Sequence, residues 1–542
     1  MEKAATLVQQ RESTNEPESG SVAEARRLGG RAARIALRKS KHTNRSVAAG
    51  LEGGRYKPLL EAEVAAIYAT ALDILSEIGI ADPVPEIRDL AVAAGCQLTA
   101  DGRLLFPRSL MDDVVANAGR DFTLFGRDPS HHMQISGNRV HLGTTGLAVK
   151  MLDFASGKLR ATTIEDLFDF ARLVDVLDNI HYFSRTVVAT EIQDLLAYDL
   201  TVAYACIAGT KKHFFTGFTE AAHVKPAMEM FDAIAGGEGC FKKAPYLSAN
   251  TCAIVSPLKF GADNLYVAIE CARHGIPINM IIAGQAGATA PAALAGTLAQ
   301  NLAETLGGLA AVHLVRPGHP VIFGSWPFVS DLRTGAFSGG SGEQALLMAS
   351  SAQITRWLGL PCGVAAGMTD SKLPDNQAGY EKGITLALAA AAGANLINAS
   401  AGIYASLLTA AFEGAVIDND LYGATQRVVR GIEVNSTTLS IDPIREAISG
   451  VGHYLGSDQT LSLMESEYLY PELADRMSPD DWEERGSRDI RQCARERADQ
   501  ILSRHYPSYI EPSVDERIRS RLSIQLSHES MSSGNGRWGA SS

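Results

Sequence analysis

This sequence predicts an α/β protein built on a (β/α)8 TIM barrel, with an N-terminal helical cap region and a C-terminal helical extension. Three observations carry the prediction. Apolar runs of strand character recur through the centre of the chain, at Tyr182–Ala189, His213–Phe218, Tyr246–Ala253, Ile278–Ala283, Val321–Ser325, Gly363–Ala366 and Asn395–Ala399. Helical patterns fill most of the gaps, at Asp194–Ala208, Ala222–Ala235, Leu258–His274, Ala292–Val315, Gly342–Leu358 and Tyr380–Ala392. The junctions Gly275-Ile-Pro277, Arg316-Pro-Gly-His-Pro320 and Gly359-Leu-Pro361 end a helix and turn the chain back. Such alternation builds a parallel sheet, and its regularity favours a closed barrel over an open one. A doubly wound sheet would more often show G-x-G-x-x-G after its first strand, and the chain has none. Seven strands are readable; the eighth is not.

Taken in order, residues 1–55 read as a basic, weakly ordered arm. Arg26, Arg27, Arg31, Arg34, Arg38, Lys39, Lys41 and Arg45 crowd its second half. Such an arm contacts an acidic partner, a lipid or RNA, or it is a solvated strap on an acidic body. Residues 56–160 form the cap region. Pro58–Ile80 places Leu59, Leu60, Val64, Ile67, Ala71, Ile74 and Leu75 near one helical face, and Gly79 ends it. Cys96–Phe106 reads as a hairpin around Asp101-Gly102, a second helix starts near Pro107, and strand-like pieces follow from 121 to 160. Residues 161–450 are the barrel. Residues 451–526 are a helical extension whose charged helices are Asp480–Arg504 and Val514–Leu526, and the Ser/Gly-rich tail 527–542 reads as disordered.

Bulk properties narrow the function. A net charge of −12 disfavours nucleic-acid binding by the molecule as a whole. Seven cysteines, an odd number with no C-x-x-C, fit a reduced, cytoplasmic chain. Cys271 and His274 have ligand-like spacing but close a helix before Gly275, where a packed thiol and a C-terminal histidine suffice; no metal site is assigned. Met1–Gly20 has no apolar signal-peptide core. Gly383–Phe412 is uncharged and long, but Gly393, Asn395, Asn398, Ser400 and Gly402 interrupt it; it reads as helix, buried strand, then loop and helix, and no membrane span is expected.

A barrel keeps its chemistry at the strands' C-terminal ends. Glu191 follows the first readable strand, Thr216 and Phe218 end the next, Asn250 and Ser256 flank the third, and Gln285 follows the fourth. Trp326, Phe328 and Asp331 follow Val321–Ser325, Asp370 and Lys372 follow Gly363–Ala366, and Tyr404 follows Asn395–Ala399. Aromatic faces beside carboxylates suit a methylated ammonium, which has no N–H to donate and is held by ring quadrupoles and diffuse charge. Asp370, Lys372 and Glu191 are the candidate catalytic residues. Trp326, Phe328, Phe218, Gln285, Asp331, Tyr404 and Gln377 are the candidate substrate-binding residues. Plainer readings stand beside these. Trp326 and Phe328 would simply pack the mouth; Asp370 and Lys372 would pair to orient the loop; Asp375, Gln377 and Glu381 would cap the next helix. Gly335–Gly342 is an anion-binding loop or a flexible lid, and lacks the Gly-Lys-Ser/Thr of a Walker A sequence.

Thr369-Asp-Ser-Lys-Leu-Pro-Asp-Asn-Gln-Ala-Gly-Tyr-Glu381, Ala392-Gly-Ala-Asn-Leu-Ile397 and Val416-Ile-Asp418 together resemble the trimethylamine:corrinoid methyltransferase family. Phe125-Gly-Arg-Asp-Pro129 and Asp331-Leu-Arg-Thr-Gly335 agree with it, so the resemblance covers roughly residues 58–470. It implies a TIM barrel that passes a methyl group from a methylated amine to the Co(I) corrinoid (cobalamin) of a small partner protein docked over the barrel mouth. This chain itself has no D-x-H-x-x-G cobalamin signature, so no cofactor of its own is expected. The resemblance also marks a departure. Archaeal trimethylamine enzymes of the family carry pyrrolysine, every residue here is standard, and the loop Ile403–Ser406 is the candidate for the altered position. Members without pyrrolysine are similar to glycine betaine:corrinoid methyltransferase. A quaternary ammonium expels a neutral tertiary amine and needs no acid, only orientation and a dry site. The expected function is therefore methyl transfer from glycine betaine or a related betaine. Trimethylamine is the alternative substrate, and a binding or scaffold protein without turnover is the alternative of another class. A homo-oligomer is expected.

Overall fold

In the computed structural model, which describes residues 46–539, the alternating pattern becomes eight parallel strands, each followed by a helix. The basic arm Arg26–Arg45 lies outside the described residues. The strands are β1 (Arg139–Gly143), β2 (Phe183–Ser184), β3 (Phe214–Thr216), β4 (Leu247–Thr251), β5 (Ile278–Ile282), β6 (Val321–Ser325), β7 (Gly363–Ala366) and β8 (Leu396–Ala399). The helices that follow them are α1 (Ile164–Asp175), α2 (Leu195–Gly209), α3 (Val224–Ala235), α4 (Ala262–His274), α5 (Leu294–Val315), α6 (Gly342–Trp357), α7 (Asn376–Ala391) and α8 (Phe412–Arg430).

Strands β2 to β6 pair in sequence order in one parallel sheet, and β7, β8 and β1 pair in another, with Leu51–Glu52 antiparallel on β1. Parallel bridges Gly143–Tyr182 and Phe323–Cys362 join β1 to the start of β2, and β6 to the start of β7. The two parallel sheets therefore touch at these single bridges. All seven readable strands appear. The eighth is β1, which the sequence reading leaves among the N-terminal pieces. Its helix is delayed by an antiparallel hairpin, Lys150–Leu152 with Leu159–Ala161, and this interrupts the β-α rhythm.

Inside the strands, Tyr182, Phe215, Ile322 and Leu396 pack with Leu124, Met133 and Ile135 from the segment before β1. These large side chains make one region of the interior apolar. Smaller polar ones follow further along the strands. Asn250 Nδ2 donates to Ser184 Oγ at 3.2 Å, and Asn279 Nδ2 donates to Asn250 Oδ1 at 2.9 Å. Asn279 and Asn398 keep buried amide oxygens with no hydrogen-bond partner.

Helix α5 is buried on nearly every face, which fits a sequence whose one carboxylate is Glu304: the helices Glu61–Asp73, Pro85–Ala93 and Arg108–Ala116 cover it. Gly307 on α5 lets Ile80 approach; a Cβ there would stand 2.2 Å from the Ile80 Cδ1. The one carboxylate buried in α5, Glu304, accepts from Ser256 Oγ (2.6 Å), Leu258 N–H (2.8 Å) and Gln300 Nε2 (3.0 Å). Burial pushes its acidity down despite these bonds.

The C-terminal residues cover α1 and α2. Arg172 Nη1 donates to Leu502 O at 2.6 Å, and Tyr204 Oη donates to Asp515 Oδ1 at 2.6 Å. Within the Ser/Gly-rich tail, Arg537 pairs with Asp166 and Asp169, and Trp538 stacks edge-on against Phe154 and Phe412. The larger of two compact units spans Val47–Asp442 and Leu469–Ser542. The smaller one contains Pro443–Tyr468, where Ser457 caps the helix Asp458–Leu463. Among the described residues no helix is long and apolar enough to cross a membrane.

Candidate functional site

The loops leaving β5, β6 and β7 enclose a cavity of about 610 Å³. Ala286, Ala292 and Leu294 wall it from the β5 side, and Val329–Arg333 from the β6 side. Ser338, Ser341 and Glu343 come from the Gly-rich loop and the start of α6; Asp370, Gln377 and Glu381 come from the β7 side. Four carboxylates face one cation, Arg333. The site is a concave, negatively charged chamber with aliphatic patches, at the strand ends where barrels place their chemistry.

Asp331 is gripped by Arg333, whose Nη2 stands 2.6 Å from Oδ2 and whose backbone N–H donates to Oδ1 at 2.8 Å. The Arg333 guanidinium and these backbone bonds hold its carboxyl down at about 2. Asp370 accepts three bonds: Ser338 Oγ at 2.7 Å, Gly339 N–H at 2.8 Å and Ser406 Oγ at 2.6 Å. Glu381 accepts from Thr369 Oγ1 at 2.6 Å, Asp370 N–H at 2.8 Å and Gln377 Nε2 at 2.9 Å. Asp375 caps α7, accepting Ala378 N–H at 3.0 Å and Ser371 Oγ at 2.8 Å.

The Gly-rich loop does not stay open. Phe337–Ser338 folds back antiparallel on Val329–Ser330, and Ser341 then caps α6. The positive end of α6 thus opens onto carboxylates, which its dipole stabilises.

The remaining residues singled out in the sequence sit elsewhere. Lys372 Nζ donates to the Asp370 backbone carbonyl at 2.7 Å, not to its carboxylate. Glu191 accepts the Ile164 N–H at 2.7 Å and so caps α1. Trp326 is buried, donating Nε1 to Gly363 O at 3.1 Å, and meets Phe328 edge-on at 6.2 Å. Phe328 in turn packs on Phe337 at 4.9 Å. These aromatics stand outside the cavity's lining. Phe218 is buried beyond β3, and Gln285 accepts Ser330 Oγ at 3.0 Å. Tyr404 is buried beneath Lys382, whose Nζ lies 4.5 Å from the ring centroid.

That lysine belongs to a cluster the sequence reading did not assemble. Lys382 Nζ donates to Asp418 Oδ2 at 2.6 Å and to Ser400 O at 2.8 Å, and Asp418 also accepts Gly402 N–H at 2.8 Å. Burial pulls the lysine down and the aspartate up in pKa, each against the other's charge. Only the position of Lys382 at the head of the uncharged, Ala-rich stretch that begins at Gly383 hinted at it. Ser338 and Ser406 lie in the loops Gly335–Gly342 and Ile403–Ser406 that the sequence marks, but their shared bond to Asp370 is not legible because that partner is remote in sequence. Among the described residues no cluster of His, Cys, Asp and Glu could hold a metal ion. Cys271 is buried, and His274 stands 3.7 Å from Glu270.

Comparison with known proteins places this geometry in context. Residues 27–526 match the family model described as trimethylamine methyltransferase (MTTB). The trimethylamine methyltransferase MttB1 of Methanosarcina mazei is 33% identical over 458 residues, covering 83% of this chain and 92% of the relative. The trimethylamine methyltransferase MttB of Desulfitobacterium hafniense is 30% identical over 473 residues, covering 87% and 94%. The glycine betaine methyltransferase of Desulfitobacterium hafniense is 29% identical over 468 residues, covering 86% and 96%. Among solved structures, the dihydropteroate synthase of Xanthomonas albilineans with 4-aminobenzoic acid overlaps 56% of this chain and 99% of its own at 14% identity. Its TM-score of 0.33 is too slight a likeness to bear on fold or function.

Proposed function

The chain belongs to the trimethylamine methyltransferase family, and on that premise we propose that it moves a methyl group from a quaternary amine to the Co(I) corrinoid of a small partner protein. Glycine betaine or a related betaine is the proposed donor. The observation that carries this reading is the carboxylate-lined cavity at the ends of β5, β6 and β7. A quaternary nitrogen offers no hydrogen bond, so surrounding negative charge and aliphatic walls are what can hold it. Arg333, the one cationic residue of that lining, answers the donor's carboxylate. Its side chain is 88% exposed and its partner Asp331 is two residues away, so the pair separates at little cost.

In the proposed step the C–N bond breaks with its electron pair staying on nitrogen, and the leaving amine is neutral. The corrinoid of the partner supplies the electron pair that takes the methyl group. This chain's residues orient the donor and exclude water. The eight parallel strands are read as a complete (β/α)8 barrel. Exposed apolar side chains on its βα connections, among them Leu147, Leu195, Val255, Leu332, Leu373 and Leu408, suit the docking of the partner over the mouth.

Trimethylamine is the second reading, favoured by the names of several relatives. The protein is tested with each amine and chemically reduced cobalamin, following methylcobalamin by its absorbance. Faster transfer from a betaine supports the first reading, and transfer from trimethylamine alone supports the second. Micromolar binding without transfer to any corrinoid would leave a binding protein.

A further inference from the structure

We propose that Asp370 is a positioning residue: its carboxylate locks the Gly-rich loop to the 405–407 turn and thereby sets the shape of the cavity. The inference rests on the methyl-transfer reading above.

Both loops bond to the segment after β7. From one side, Ser338 Oγ and Gly339 N–H donate to Asp370. From the other, Ser406 Oγ donates to Oδ1, the same oxygen that accepts Gly339. All three donors come from loops more than thirty residues away in sequence. Backbone bonds reinforce the second contact. Ala405 N–H donates to Ser371 O at 2.6 Å and Ser406 N–H donates to Thr369 O at 2.9 Å. The Gly-rich loop lies so close that a Cβ on Gly339 would stand 2.9 Å from Met368 Cβ, and one on Gly340 would stand 2.4 Å from Glu381 Oε2.

The 405–407 turn needs such a template. Ala405, Ser406 and Leu407 have φ of 51°, 55° and 75°. Three successive non-glycine residues in the left-handed region persist only where their surroundings over-determine them, and such strain gathers at functional sites. Here it stands beside the cavity, and Ser338, Asp370 and Glu381 are both lining residues and members of the lock. The carboxylate already accepts three bonds, so it serves the site through loop geometry.

Asp370→Asn separates geometry from charge. An amide oxygen still accepts Gly339 N–H and Ser406 Oγ, and the Ser338 hydroxyl can turn to accept from the new NH2. Asp370→Ala and Ser406→Ala remove the lock. The expected result is that Asp370→Asn leaves both loops as resistant to proteolysis as in the wild type and lowers kcat far less than the alanine variants do, while KM rises with the loss of one of the cavity's four negative charges. Asp370→Ala and Ser406→Ala lower kcat about tenfold or more, a loss in keeping with misplacement of a reacting group. Limited proteolysis should then cut the 335–342 and 405–407 loops faster in the two alanine variants but not in Asp370→Asn. An Asp370→Asn variant whose kcat falls and whose loops are cut as in Asp370→Ala overturns the proposal, because charge would then be what matters. Full activity with unchanged proteolysis in both alanine variants overturns it as well. If the wild type transfers no methyl group from any amine, the methyl-transfer reading fails, and the proteolysis pattern alone decides the lock.

Discussion

Lys382 Nζ and Asp418 Oδ2 stand 2.6 Å apart with both side chains only 3% exposed, and between them they hold the chain that leaves β8. Lys382 donates to the Ser400 carbonyl and Asp418 accepts the Gly402 N–H, so each charge also has a backbone hydrogen bond. A buried pair contributes little when replaced whole but much when halved, because one charge is then stranded. Lys382→Met or Asp418→Ala alone is expected to cost about 3–5 kcal/mol of stability. Lys382→Met combined with Asp418→Leu should cost clearly less than the two single losses added together. Urea unfolding of the three variants measures this, and strict additivity would contradict it.

Arg333 gives a prediction about substrate choice. If it answers a carboxylate, Arg333→Gln removes a charge-assisted hydrogen bond, so KM for glycine betaine rises several-fold. KM for tetramethylammonium or trimethylamine should hardly move. An equal rise for all three amines would assign Arg333 to loop structure.

The pH dependence of stability follows from three buried histidines. Burial lowers His141 to about 4, His213 to about 3 and His319 to about 4, from 6.5 for an exposed histidine. Their folded-state values lie below the unfolded one. Below 6.5 the unfolded chain therefore takes up protons that the folded chain refuses, and stability falls as pH drops toward 4. The urea midpoint should decline steadily from pH 7 to pH 4. A flat midpoint across that window would contradict the burial of these rings.

The C-terminal tail supplies a fourth prediction. Trp538 packs on Phe154 and Phe412 and donates Nε1 to Asp169 Oδ2 at 2.9 Å. Trp538→Ala should destabilise the protein by about 1–3 kcal/mol, from the lost ring contacts and a lost hydrogen bond to a charged group. Chemical denaturation checks it, and an unchanged midpoint would show the tail to be passive.

Much of the fold was legible because β-α alternation is written locally, in apolar runs, Gly-Pro junctions and capping residues. Strand β1 escaped because its helix comes only after a hairpin, although Thr163 and Asp166 form a readable capping box at the start of α1. The site was legible only in part. Strand-exit logic brought Asp331, Asp370 and Gln377 to the cavity lining. It could not say that Glu191 turns to cap α1, that Tyr404 lies beneath Lys382, or that Trp326 donates inward to Gly363. Sequence position locates a residue along a strand, but side-chain direction and partners such as Ser406 for Asp370 are settled by packing between distant segments.

The central claim is that this chain passes a methyl group from a quaternary amine to a corrinoid. The most direct measurement uses glycine betaine labelled with ¹³C on its N-methyl groups, the full-length protein and Co(I) cobalamin, followed by mass spectrometry of both products. Labelled methylcobalamin and dimethylglycine are expected in equal amounts. Dimethylglycine without a methyl–cobalt product, or no product from any betaine while trimethylamine is demethylated, would contradict it.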